Sequence, residues 1–323
     1  MCTVLQRFYR RLGIAVALVK KMEAWCREQG AVYAYIATEK DNEASVNLFT
    51  KRLDYHKFRT PTILVQPIYA KPKRLNPRVK IVEVKQHSES LYREVFGHVE
   101  FFPKDVDAIM RSKLHKGTWM ATWRDEEDVT KCEEDGHGHG QANHGHGQEN
   151  HGHVDLDQCH RSWAMLSIWK CNEIFKLQVK GASWRVRGMV SVARLLGRIV
   201  PGVVVPTPPD VFRPFGLHLA YGLHAHGDRS TGLLTELFWF AHNLAKKDGC
   251  AVLATELASG DPVLPHVPHW SSLSCEEDLW CIKCLTPPSS SSSSSFSSSM
   301  TSIETNWSKT LPPMSIFVDP RDF

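Results

Sequence analysis

No apolar run in the 323-residue sequence approaches the ~20 residues needed to cross a bilayer, so no membrane-spanning helix is expected. An excess of one charge is also missing. The 39 Lys and Arg against 35 Asp and Glu leave a formal charge of +4. That balance lacks the concentrated basic face of a nucleic-acid binder, so no direct nucleic-acid partner is expected. Paired cysteines are absent too. The nine cysteines (Cys2, Cys26, Cys132, Cys159, Cys171, Cys250, Cys275, Cys281 and Cys284) are odd in number and scattered, which suits a reducing compartment better than a disulfide framework. No cleavage site follows the N-terminal apolar run. Arg7, Arg10 and Arg11 precede Leu12 to Val19, and no acid occurs in the first 21 residues, a superficial likeness to a signal or transit peptide. Lys20-Lys21 and the charged AWCREQG stand where small residues should be.

What is present is enough for two domains: 42% hydrophobic residues on a chain of this length can fill sizeable cores. Ala15, Leu18, Val19, Met22, Trp25 and Cys26 recur at helical spacing, with Lys20, Lys21, Glu23 and Arg27 on the opposite side and Gly30 placed as a C-cap. AVYAYIAT (Ala31 to Thr38) reads as a strand, DNEASVNLFTKRL as a second helix, and YHKFRTPTILVQPI as one or two further strands. Residues 1–70 thus form one unit, and the basic, proline-bearing 71–78 a linker. The second unit, 79–323, opens with the strand VKIVEV and a helical stretch from Ser88 to about Leu114. TWMATW follows as a strand, SWAMLSIW and FKLQVKG as a strand pair, a basic helix lies around Val190 to Ile199, and GLHLAYGLHA is another strand. A His-rich insert at 136–153 and a Ser-rich one at 289–300 interrupt this unit.

Residues Asp228 to Leu257 repeat the opening pattern at a constant offset of 219 positions. Arg10 falls on Arg229, Gly13 on Gly232 and Gly30 on Gly249. The apolar set falls on Leu234, Leu237, Phe238, Ala241, Leu244 and Ala245. Two glycines, an arginine and a whole apolar face in register indicate a duplicated unit.

The sharpest motif is Arg10-Arg11-Leu12-Gly13-Ile14-Ala15 at the start of the first helix. The first amides of a helix have no internal partners and carry partial positive charge. Gly13 allows close backbone approach, Ala15 stays small, and two arginines offer charge-assisted donors to phosphate oxygens. Taken alone this is a basic helix start; taken together it is a pyrophosphate cradle.

R-x-x-G-x-A opening a helix, followed by a strand and by Asn42-Glu43-Ala44-Ser45-Val46-Asn47-Leu48-Phe49, resembles the acetyl-CoA site of the GNAT N-acetyltransferases. EASVNLFTKRLDYHKFRTPTILV, FFPKDVDAIM, SWAMLSIWKC, PFGLHLAYG, LSCEEDLWCIK and SIFVDPRDF are similar to the plant HOOKLESS-type members of that superfamily, over nearly the whole chain outside residues 1–9 and the two inserts. The resemblance implies an α/β, GNAT-like (acyl-CoA N-acyltransferase) fold with an incomplete N-terminal unit and a degenerate C-terminal one. It implies acetyl-CoA as co-substrate, held at the pyrophosphate by Arg10, Arg11, Leu12, Gly13, Ile14 and Ala15, with Asn42 near the pantetheine arm. It implies acetyl transfer to an amine, on a histone, another protein or a small molecule, a role in plant growth and development, and a nuclear or cytoplasmic location.

Three departures from the family pattern stand out. Phe49 occupies the place of a tyrosine that protonates the leaving thiolate, and phenylalanine has no proton to give. Asp54 replaces a glycine, at some conformational cost. MCTVLQRFY replaces the several strands and helices that a complete unit places before the motif, so the opening unit reads as the C-terminal half of a GNAT domain, of doubtful activity by itself. In the second unit Leu234 takes the place of Ala15 and no asparagine motif follows, so its cradle reads as structural. No catalytic acid or base is assigned.

Other constellations stay open. The six histidines of the insert suit adventitious transition metals, with nothing to fix a tetrahedral zinc site. Cys281-Ile282-Lys283-Cys284 lies in a strand, where residues three apart face opposite ways, so one buried and one exposed cysteine are expected rather than a chelate. Glu39 could serve as a base or be an ordinary exposed acid. KPKR (Lys71 to Arg74) could be an import signal or a solvated linker. Against the transferase reading stand a non-catalytic scaffold that keeps the fold and, more remotely, a metal-buffering protein.

Overall fold

The computed structural model describes residues 11–85, 88–125, 162–180, 209–275, 277–285 and 311–322. The expected helix around Val190 to Ile199, the His-rich tract and the Ser-rich tract lie outside the described residues. The chain divides into two compact units: Met1–Ile63 with Leu257–Asp261 and Cys275–Ser315, and Leu64–Glu256 with Pro262–Ser274 and Ile316–Phe323.

The first unit opens with helix α1 (Ile14–Glu28), a turn at Gly30 (φ 83°), and strand β1 (Tyr33–Glu39). Helix α2 (Glu43–Asn47) runs into a π-helical turn (Leu48–Arg52), followed by strands β2 (His56–Arg59) and β3 (Pro61–Pro67). The strand paired to both β1 and β2 is not β3. It is β9 (Asp278–Cys284), from the far end of the sequence, antiparallel to each. On one face of this sheet Ala34, Ile36 and Thr38 stand opposite Lys283, Cys281 and Leu279. There Leu53, Tyr55, Leu279 and Cys281 form a core with Val16 and Val19 of α1 and with Val46, Leu48 and Phe49.

The direction in which α1 faces differs from the sequence expectation. Leu18, Met22 and Trp25, expected inside, are 38%, 41% and 56% exposed, and Glu23, expected outside, is 4% exposed. The inward line runs Val16, Val19, Glu23 and half-buried Cys26 at the same helical spacing, rotated from the apolar stripe. A buried carboxylate is tolerated because Lys283 meets both its oxygens at 3.0 Å.

The second unit holds a six-stranded sheet in the order β3-β8-β7-β6-β5-β4. Its further elements are β4 (Val79–Glu83), α3 (Ser88–Phe96), α4 (Val106–Met110), β5 (His115–Trp123), β6 (Trp163–Trp169), β7 (Gly216–His226), α5 (Ser230–Lys247) and β8 (Cys250–Ala258). Strands β4 to β7 pair antiparallel, and β7 with β8 parallel through α5. The expected single helix from Ser88 to Leu114 is two. The break spans Gly97, a left-handed Phe101 (φ 67°) and Pro103, which has no amide to continue a helix. FKLQVKG does not pair with β6: its Leu177 and Val179 bond instead to Phe215 and Val211, because β6 already lies between β5 and β7. All seven residues of β6 are buried, as in a strand covered on both faces. Helix α5 packs on β5, β6 and β7, and α3 and α4 bring Tyr92, Val95, Phe96, Val106 and Ile109 into a core with Trp163, Met165 and Trp169.

Residues 71–78 form neither helix nor strand, yet they are pinned within the second unit. Asn243 of α5 bonds both the amide and the carbonyl of Lys73, and Glu236 accepts from the Asn76 amide. The Lys73 ammonium lies 4.7 Å from the Tyr69 ring centroid and 4.4 Å from that of Trp239.

Candidate active site at the start of the first helix

Helix α1 begins after two left-handed residues, Arg11 (φ 67°) and Gly13 (φ 79°). Its first internal bond joins the Ala17 amide to the Gly13 carbonyl at 3.0 Å. No side chain caps it and no acid sits in its first turn. The amides that precede that bond therefore have no partner within the helix. Arg11, Leu12 and Gly13 are exposed, Ile14 and Ala15 half-buried, and a Cβ on Gly13 would meet no atom within 4 Å. Among the described residues the result is an open, positively polarised helix end. Arg10 lies outside the described residues.

Val16 and Val19, near the start of α1, pack in one core with Val46, Leu48 and Phe49. The segment that Asn42 begins thus shares its core with the first turns of the helix that begins at Gly13. Asn42 donates its amide to the Glu39 carbonyl, and its Oδ1 accepts from the Ser45 amide at 3.2 Å, capping α2. With Oδ1 so used, its side-chain amide hydrogens are what Asn42 can present to a ligand carbonyl.

Phe49 lies in the π-helical turn with its ring against Tyr55, centroids 5.3 Å apart, so no phenol occupies that place. The neighbouring phenol of Tyr55 does not replace it. Burial, reinforced by the Glu23 charge, holds the Tyr55 hydroxyl well above the usual range, which keeps it protonated. Asp54 is left-handed (φ 62°), as expected for a residue in a glycine position.

Glu39 stands directly across from Asp278 on β9. Asp278 is buried, and burial together with the Glu39 charge raises its carboxyl above the ordinary range. Beside them Lys40 pairs with Glu277. Sequence reasoning missed Asp278, since nothing local to it signals a strand inserted beside β1. Cys281 is buried and Cys284 exposed, as two residues three apart on a strand should be. Among the described residues no group of three or more His, Cys, Asp or Glu side chains could hold a metal ion.

The equivalent end of α5 is closed by the protein itself. Ser162 Oγ accepts from the Arg229 amide at 3.1 Å, the Gly227 carbonyl accepts from the Ser230 amide and hydroxyl, and Trp123 Nε1 donates to the Arg229 carbonyl. The Arg229 guanidinium stacks on Trp123 at 4.5 Å and pairs with Asp125 at 3.0 Å. A Cβ on Gly227 would come within 2.8 Å of Ser162, and Gly232 lies inside α5 rather than before it. Leu234 is fully buried.

Residues 2–55 match the family described as "Acetyltransferase (GNAT) family". The chain is 42% identical over 317 residues to "Probable N-acetyltransferase HLS1" of Arabidopsis thaliana, covering 98% of this chain and 73% of that protein. It is 43% identical to "Probable N-acetyltransferase HLS1-like" of the same plant, covering 98% and 71%, and 32% identical to the rice "Acetyl transferase GW6a", covering 98% and 66%. Among solved structures, a GCN5-related N-acetyltransferase from Sphaerobacter thermophilus matches at 11% identity and a TM-score of 0.45, over 88% of this chain and 71% of that one. By its identity to the Arabidopsis proteins across 98% of its length, and by the motif at α1, the chain belongs to the GNAT acetyltransferase family, in the group of the HLS1-type probable N-acetyltransferases.

Proposed function

We propose that this chain transfers an acetyl group from acetyl-CoA to an amine, with the co-substrate bound at the start of α1. The observation that carries this reading is the contrast between the two helix starts. Among the described residues the one at Gly13 is open, uncapped and without an acid, whereas the one at Arg229 is filled by Trp123 and Ser162. The amides around Leu12 to Ala15 would hold the pyrophosphate, with Arg10 and Arg11 adding charge and Asn42 meeting the pantetheine arm. Glu39, at the end of β1 ahead of Asn42, offers a carboxylate suited to a cationic acceptor amine. The acceptor is a histone, another protein or a small molecule, and the setting is the nucleus or cytoplasm. No helix among the described residues is long and apolar enough to cross a membrane. On this reading the stretch 1–70 carries the live acetyl-CoA motif, and 79–323 carries its degenerate repeat.

Titration of acetyl-CoA by calorimetry tests the assignment. Gly13→Val forces a side chain and strain on the left-handed position and should weaken binding at least tenfold, about 1.4 kcal/mol. Gly232→Val should leave binding unchanged. Equal effects would overturn the distinction between one live and one closed cradle.

A second reading, a scaffold that keeps the fold without turnover, is favoured by Phe49 and by the open stripe of Leu18, Met22 and Trp25. Thiol release from acetyl-CoA with a panel of amines separates the two: binding without release supports the scaffold.

A further inference from the structure

Glu23 is the one buried residue of α1, and it sits where three segments meet. Lys283 Nζ of β9 reaches both carboxylate oxygens at 3.0 Å. Tyr55, in the corner between the π-helical turn and β2, has the Glu23 charge beside its hydroxyl, and the Lys283 ammonium lies 5.6 Å from the Tyr55 ring centroid. Arg27 approaches from the surface at 3.8 Å. Tyr55 packs edge-on against Phe49, which belongs to the segment that Asn42 caps. A single carboxylate therefore links the helix that begins at Gly13, the segment that begins at Asn42, and the strand inserted from the end of the chain.

An independent observation comes from the repeat. The position equivalent to Glu23 in α5 is His242, also buried and polar, and its Nε2 accepts from the Tyr69 amide at 2.9 Å. Both helices thus carry, at the same repeat position, one buried polar side chain that ties the helix to a distant segment. In α1 the tied helix is the one with the open start.

We propose that Glu23, together with Lys283 and Tyr55, is the positioning residue of the acetyl-CoA site, holding the amides around Gly13 and the Asn42 cap in fixed relation. This rests on the functional reading above. Glu23 touches no ligand; it acts through the angle and depth at which α1 sits on the β1-β9-β2 sheet. Because the carboxylate is buried, removing either partner leaves a charge without its counter-ion. A helix held only by Val16 and Val19 can rotate toward its exposed apolar stripe, which carries the Gly13 amides away from Asn42.

The test uses the full chain and acetyl-CoA calorimetry at a temperature well below each variant's own thermal midpoint. Glu23→Gln and the milder Tyr55→Phe should each raise Kd about tenfold. The charge-swapped pair Glu23→Lys with Lys283→Glu should return Kd to within about threefold of the parent. His242→Ala, which loosens the equivalent tie in the other unit, should lower the midpoint and leave Kd unchanged. A folded Glu23→Gln or Tyr55→Phe protein with parental Kd overturns the positioning role and leaves the acetyl-CoA site standing. So does an equal loss in His242→Ala, which would make the effect global. A parent chain that does not bind acetyl-CoA at all overturns the functional reading, and the positioning role with it.

Discussion

Helices α1 and α5 are two renderings of one pattern, and they differ in what covers them. Both end at the same repeat position, Glu28 and Lys247, and both are followed by a left-handed glycine, Gly30 at φ 83° and Gly249 at φ 73°. The equivalent apolar positions part in two places: Leu237 and Ala241 are buried, whereas Leu18 and Met22 are open among the described residues, while Val19, like Phe238, packs in a core. The starts differ as well: α5 begins three repeat positions earlier and takes Gly232 into its first turn, while α1 stops short at Gly13. Local pattern fixes that a helix forms and where it ends. Whether its face is core, and whether its first amides are free for a ligand, depends on what other segments bring to it.

The sharpest way to break the comparison is to truncate equivalent leucines. Leu237→Ala should cost about 3 kcal/mol by transfer and cavity effects, and Leu18→Ala less than about 0.5 kcal/mol. Denaturant unfolding of the two variants measures both, and similar losses would show that the face of α1 is as buried as that of α5.

Acid should separate the units next. Burial, opposed in part by Asp248 at 3.2 Å, brings the His218 imidazole down to about 4, and burial brings His115 and His224 to about 4 as well. Their folded values lie below the unfolded value of 6.5, so the unfolded state takes up protons first. The stability contributed by these neutral rings is complete above about pH 6.5 and is lost as pH falls toward 4. For the fully buried His218 the loss is of the order of 1–3 kcal/mol. In the first unit Asp278 works the other way, because its raised carboxyl is relieved of an unfavourable charge as pH falls. Hydrogen exchange between pH 7 and 4.5 should show β5, β6 and β7 losing protection before β1 and β9. The reverse order would contradict the assignment of neutral buried histidines.

A smaller pair of changes should show the two copies behaving alike. Gly30 and Gly249 both have positive φ, and a Cβ on either would meet no atom within 4 Å. Alanine at each should therefore cost only its backbone strain, about 1 kcal/mol, and the same at both sites. Thermal unfolding of the two variants checks the match. The smallest effect is expected from deleting residues 136–153: a polar tract adds little to a core, and shortening a loop changes its closure entropy little. Its thermal midpoint in chelator should equal that of the parent, and a large drop would make the tract structural.

The sequence by itself determined the elements and the chemistry of the helix start. The glycine-punctuated helix and strand, the Asn42 cap, the left-handed tolerance of Asp54, and the split of Cys281 from Cys284 to opposite faces follow from short-range geometry, so they were legible residue by residue. The break at Gly97 to Pro103 carried local signals too, but the apolar spacing running past them outweighed those signals. The facing of α1 was out of reach. Apolar count favours Leu18, Met22 and Trp25 inside, and only a lysine 260 positions away makes Glu23 the buried residue. The insertion of β9 between β1 and β2, and the placing of β3 beside β8, were equally hidden. Strand propensity says that a segment pairs; it does not say with which. Partner choice rests on side-chain faces that meet only after the chain has folded across more than two hundred residues, and Asp278, Lys283 and the footing of the candidate site rest on that choice.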